Sequence, residues 1–107
     1  MRLRHLLVAS AGPLLLGISP AAAAPPHTYV VVIDKLKFGP LPGSLHKGDS
    51  IVWDNRDILR HSATAANHSF DADLPPGAKV KTTLKTGGSI PFACRYHPGM
   101  RGVLQVR

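Results

Sequence analysis

From residue 28 onward the chain is a succession of short β-branched or alternating runs, each cut by glycine or proline before a helix could propagate. Tyr29-Val30-Val31-Val32-Ile33 is too apolar for a strand with one wet face and is expected deep in a sandwich. Phe38-Gly39-Pro40-Leu41-Pro42-Gly43 breaks the pattern, and Lys47-Gly48-Asp49 turns into a strand at Ile51-Val52-Trp53, whose indole belongs in the core. Residues 55–60 read as a loop and 61–65 as a short strand. Leu74-Pro75-Pro76-Gly77 limits 67–77 to one helical turn at most. Residues 78–84 alternate like a half-exposed strand, 90–93 run into Cys94, and 102–106 close the chain. About seven strands with Gly/Pro turns predict an all-β sandwich or barrel.

The first 24 residues do not belong to that pattern. Arg2 and Arg4 precede a mostly apolar stretch at 6–18, and Ala21-Ala22-Ala23-Ala24 offers small residues for cleavage. These are the three regions of a secretory signal peptide, and the apolar stretch is short of the ~20 residues a spanning helix needs. Residues 1–24 are therefore expected to be removed on export to the periplasm, leaving a single domain at 25–107 with no membrane anchor. A domain of that size buries only about 60 to 65% of its unfolded surface, so a bound metal would help to stabilise it. In residues 25–107, eleven basic residues face six aspartates, a net of +5. The chain has no Lys/Arg run and few aromatics to stack bases, which argues against nucleic acid and leaves an acidic protein as the expected partner of a monomer.

Cys94-Arg95-Tyr96-His97-Pro98-Gly99-Met100 sets a thiol, an imidazole and a thioether at positions 1, 4 and 7 of one loop. With 6 His and 2 Met in the chain, chance gives this spacing about one time in a thousand. Thiolate and thioether favour copper, and a Cys with two His and a weak axial Met is the ligand set of blue copper. Pro98 and Gly99 suit the two central positions of a type II turn, which would gather the donors. Cys94 is the only cysteine, so it has no disulfide partner within the chain, and metal ligation would protect it in an oxidising compartment.

Together with Phe38-Gly39-Pro40, the 48–55 strand, His61-Ser62-Ala63-Thr64 and Phe70-Asp71 ahead of Pro76-Gly77, this loop resembles the type 1 blue-copper cupredoxins of the amicyanin and plastocyanin group over 28–107. The two residues between His97 and Met100 resemble the short loop of amicyanin. The resemblance implies a Greek-key β-sandwich of seven to eight strands. It also implies one copper held by His61, Cys94 and His97 with Met100 weakly axial. His61 also fits as the distant ligand because it opens a strand straight after a loop; His27, His46 and His68 are the rivals.

The family usually has Asn after the first ligand His and Thr or Ser after the Cys, tying the two ligand segments together. Here those places hold Ser62 and Arg95, and Arg95 cannot reproduce the hydroxyl. The implied function is single-electron transfer between redox partners through the edge of His97, not enzymatic catalysis; the alternative is a copper chaperone or storage protein of the same fold. Leu41, Pro42, Leu59 and Pro98 are expected to form an apolar contact patch around His97. Arg56, Arg60, Arg95 and Arg101 are expected to form a basic rim that steers an acidic redox protein.

Overall fold

The computed structural model describes residues 25–107, and the expected signal peptide at 1–24 lies outside the described residues. Eight strands follow in order: β1 (Thr28–Asp34), β2 (Lys37–Phe38), β3 (Ser50–Asn55), β4 (His61–Ala65), β5 (Asp71–Leu74), β6 (Lys79–Thr83), β7 (Gly88–Ala93) and β8 (Arg101–Val106). They form two four-stranded sheets, ordered β2-β1-β3-β6 and β5-β4-β7-β8. Among the described residues there is no helix. β5 stands where at most a helical turn was expected: the Pro75-Pro76-Gly77 break ends a strand, and Asp71-Ala72-Asp73-Leu74 alternates wet and buried as a one-faced strand should.

The inner faces meet around Trp53, which is fully buried and donates its indole N–H to Thr82 Oγ1 at 3.1 Å. Phe38, Phe70 and Phe92 pack on its ring with centroids 5.2–5.9 Å away for the direct neighbours. β1 is less deeply placed than its composition suggests. It pairs in parallel with β3, Val31 and Ile33 point into the core, and Val30 on the outer face is 57% exposed. Among the described residues no second layer covers that side of the sheet, so a continuous apolar run has one face exposed.

Two features of this framework place the functional end. β3 leads out to Asn55, and β4 pairs antiparallel with β7 through Thr64↔Ala93 and Ala65↔Phe92. That register carries the beginning of β4, His61 and Ser62, past the end of β7 and alongside Cys94. At the start of β8, a Cβ on Gly102 would lie 2.7 Å from the Phe92 ring and 3.0 Å from Leu41 Cδ1. Only glycine lets the ligand loop return so close to the core.

Candidate metal centre

His61 and Cys94 stand side by side and buried, 0% and 2% exposed, with His61 Nδ1 3.8 Å from Cys94 Sγ. The Ser62 N–H donates to the same sulfur at 3.3 Å. The loop that follows is closed by two backbone bonds: Met100 N–H to the His97 carbonyl and Cys94 N–H to the Met100 carbonyl, both 2.9 Å. The expected turn at 97–100 is therefore present, but Gly99 does not adopt a positive φ, so the turn is not type II. Pro98 suits the first central position of a type I turn equally well, and the i→i+3 bond forms without the left-handed residue.

His97, half-buried on the loop, lies with its ring centroid 4.9 Å from that of His61, edge to face. Met100 is 4% exposed and belongs to the buried cluster beneath the loop. Thus four of the residues singled out in the sequence converge at one end of the sandwich. Of the rival histidines, His68 sits in the turn after β4 with φ 62°, and His27 and His46 flank Asp49 at the other end of β3. Among the described residues no trio of His, Cys, Asp or Glu side chains is already closed into a metal cage; His61 and Cys94 are the ready pair.

Donor chemistry and spacing fit a metal. With bonds of about 2.3 Å to sulfur and 2.0–2.1 Å to nitrogen, an angle of about 120° separates the two donors by about 3.8 Å. That matches the separation observed. Each histidine also has its outer nitrogen occupied: His97 Nε2 lies 3.2 Å from the Arg60 carbonyl, and His61 Nε2 lies 2.8 Å from Asp57 Oδ2. Both acceptors call for an Nε2–H, which in the neutral imidazole leaves the lone pair on Nδ1.

Asp57 was not picked out in the sequence. Its only trace there is Asn55 two positions earlier, the residue type that caps its own backbone two residues on. Indeed Asn55 Oδ1 accepts the Asp57 N–H at 2.9 Å. The imidazole of His61 and then the Leu36 N–H hold the Asp57 carboxyl below the usual carboxylate range.

The missing hydroxyl after Cys94 is replaced by a longer circuit. The Arg95 N–H donates to Ser62 Oγ at 2.9 Å, Ser62 Oγ stands 2.9 Å from Thr64 Oγ1, and Thr64 Oγ1 donates to Asp71 Oδ1 at 2.9 Å. The Arg95 guanidinium closes on that same Asp71 carboxylate. Because Thr64 donates its proton to Asp71, Ser62 must donate to Thr64. The chain of donors then runs in one direction from the Arg95 N–H to the Asp71 carboxylate, which also accepts from the Arg95 guanidinium, so each bond polarises the next. The tie between ligand segments is kept by different atoms.

The four rim arginines do not form a bare positive surface. Arg56 Nε pairs with Asp54 at 3.0 Å, Arg60 pairs with Asp73, and Arg95 with Asp71. Arg60 holds the Asp73 carboxyl below its ordinary range, and Asp73 raises Arg60 in turn. Arg60 and Arg95 also flank the Tyr96 ring at 5.4 and 5.8 Å. Arg101 meets only the Pro98 carbonyl, at 3.3 Å. Apolar exposure at this end is larger than expected, since Ile58 is 86% exposed and Leu59 and Tyr96 are 40% and 41%.

No protein-family model matches the chain. Amicyanin of Paracoccus versutus is 26% identical over 88 residues, covering 77% of this chain and 67% of amicyanin. Among solved structures, a purple cupredoxin from Nitrosopumilus maritimus superposes with a TM-score of 0.64 at 19% identity, covering 74% of this chain and 99% of that one. The chain has the cupredoxin fold. Its likeness extends to the reduced Cu(I) form of an amicyanin variant, with TM-score 0.59, 27% identity, and coverage of 75% of this chain and 82% of that protein. The all-β sandwich expected from the sequence is the fold observed, with the 94–100 loop between its last two strands.

Proposed function

We propose that this chain is a cupredoxin electron carrier that would hold one type 1 copper through His61, Cys94 and His97, with Met100 as a weaker fourth donor. The observation that carries the reading is the His61 Nδ1 to Cys94 Sγ distance of 3.8 Å, with the outer nitrogen of each histidine tied back to the protein. When bound, the metal supplies a one-electron couple whose ligand set lies between the preferences of the two copper oxidation states.

The chain's own residues then do three things. Asp57 and the Arg60 carbonyl fix which imidazole nitrogen faces the site; the Ser62 N–H holds the Cys94 sulfur in place; and the Arg95 circuit holds the loop against β4. Little needs to move when an electron arrives. With all four donor positions filled by side chains, the arrangement suits transfer between partners better than catalysis on a substrate.

The partner is a redox protein that meets the His97 end. Ile58, Leu59, Tyr96 and Pro98 support a contact led by apolar surface, with the paired arginines as its polar border. An acidic partner would be attracted by the net charge of +5 carried by residues 25–107 more than by the rim itself. Export to the periplasm follows from the signal-like residues 1–24, and N-terminal sequencing of the protein recovered from a periplasmic extract tests it.

Adding Cu(II) to the protein and recording visible and electron paramagnetic resonance spectra decides the main claim. An intense blue band with a type 1 resonance is expected. A stoichiometric but colourless complex would refute the carrier and favour the copper chaperone.

A further inference from the structure

The two histidines of the site are anchored differently. His97 donates to a neutral backbone carbonyl, whereas His61 donates to a carboxylate, although a carbonyl would fix the same tautomer. The carboxylate is also built in with care. Asp57 Oδ2 accepts the Leu36 N–H at 3.0 Å besides His61, Asp57 Oδ1 accepts the Ile58 N–H at 2.8 Å, and the side chain is 11% exposed. Behind it, fully buried Asn55 donates to the carbonyls of Leu59, Leu74 and Pro75 at 2.9, 2.8 and 3.3 Å, fixing the loop that carries Asp57.

The Leu36 N–H arrives from a two-residue hairpin whose Lys35 and Leu36 both have positive φ, 51° and 59°. That turn ordinarily uses Asn-Gly, and non-glycine residues there are held under strain. The strained turn thus delivers a donor to one particular carboxylate.

Resting on the copper reading above, we infer that Asp57 is a positioning residue whose negative charge, passed through His61, sets the reduction potential of the site by stabilising Cu(II). The physical reason is that a carboxylate on the outer N–H makes the imidazole a stronger donor, and the oxidised ion gains more from it than the reduced one. His61 is 0% exposed, so little water screens the effect.

Asp57→Asn keeps the shape and one accepting oxygen and removes the charge. At a fixed applied potential it is expected to shift the Cu(I):Cu(II) ratio about tenfold toward Cu(I), about 59 mV upward for a one-electron couple, with the blue band retained. Asp73→Asn removes the same charge from the same end without touching a ligand histidine and is expected to change the ratio less than about twofold. An unchanged potential in Asp57→Asn, or an equal shift in Asp73→Asn, overturns the inference.

If Asp57→Asn does not hold copper, Asp57→Glu must load and keep the native potential, and its failure to do so counts against the charge. The 15N shifts of His61 in the metal-free protein give a separate readout. The Nε2-protonated tautomer is expected, and the Nδ1-protonated form would overturn the assignment whatever the spectra show. A protein whose wild type never turns blue would refute the copper reading alone.

Discussion

Strand β3 carries an aspartate at each end, and the two are used in opposite ways. Among the described residues Asp49, just before the strand and 2% exposed, accepts its hydrogen bonds from backbone donors, His27 N–H at 2.9 Å and His46 N–H at 2.8 Å, with the His46 imidazole farther off at 3.9 Å. Asp57, two residues past the strand, accepts two backbone donors and then the His61 imidazole. Both satisfy N–H groups that would otherwise be orphaned. About 20 Å of strand separates a carboxylate that only fastens the chain from one that fastens it and reaches the site. Burial and hydrogen bonding are alike in the two; what distinguishes the functional one is the side chain among its donors.

The sharpest way to break this comparison is to remove the site and leave the fastening. Cys94→Ser and His61→Gly should each abolish the blue band entirely, while Asp49→Asn should leave both the spectrum and the potential as they were. A blue His61→Gly protein, or a shifted potential in Asp49→Asn, would end the distinction.

Next in size is stability. Asp49→Asn forfeits charge-assisted acceptance from two backbone donors and should lower the melting temperature of the metal-free protein by roughly 5 to 10 °C. A melting curve identical to wild type would show that the 27–49 fastening is dispensable.

Acid sharpens the same point. The His27 and His46 N–H groups hold the Asp49 carboxyl below its ordinary value of 3.8. A depressed folded-state pKa means that Asp49 contributes stability fully above that value and loses it as pH falls through its lowered one. The stability difference between wild type and Asp49→Asn should therefore be constant near neutrality and narrow below about pH 3.8. Denaturant titrations between pH 6 and pH 2.5 would check this, and a gap that widened on acidification would contradict it.

The smallest effect expected is at the rim. Since Arg60 and Arg95 are already paired with Asp73 and Asp71, replacing both by Gln should change the salt dependence of electron transfer to a redox partner by no more than about twofold. A steep slope that flattened in the double variant would restore the basic rim as a steering device.

The donor spacing of the 94–100 loop and the sheet pattern were legible because each is local. Spacing within 94–100, alternation within 78–84 and the turn residues between runs can be read without knowing what lies across the fold. β5 was missed because four residues between polar turns carry too little periodicity, and their register with β4 is what makes them a strand. The depth of β1 was overestimated because composition reports apolarity but not which sheet face a second layer will cover. Asp57, the closure of the Arg95 circuit and the pairing of Arg60 and Arg95 depend on partners 4 to 33 residues away. Sequence order does not announce such partners, although an Asn two residues before an Asp in a loop was a faint sign of the first.

Arg95 has one further consequence, for how this centre can change over generations. In the usual arrangement of the family, the residue after the cysteine is a small hydroxyl that can be considered by itself. Here it is bound to three others. Arg95→Thr would leave Asp71 without its cation and Thr64 donating to a carboxylate that nothing else neutralises, so a substitution that is native elsewhere becomes harmful in this background. Ser62, Thr64, Asp71 and Arg95 must be inherited as a block. A ligand loop transplanted from a relative would fail here until the three residues waiting for it on β4 and β5 were exchanged as well.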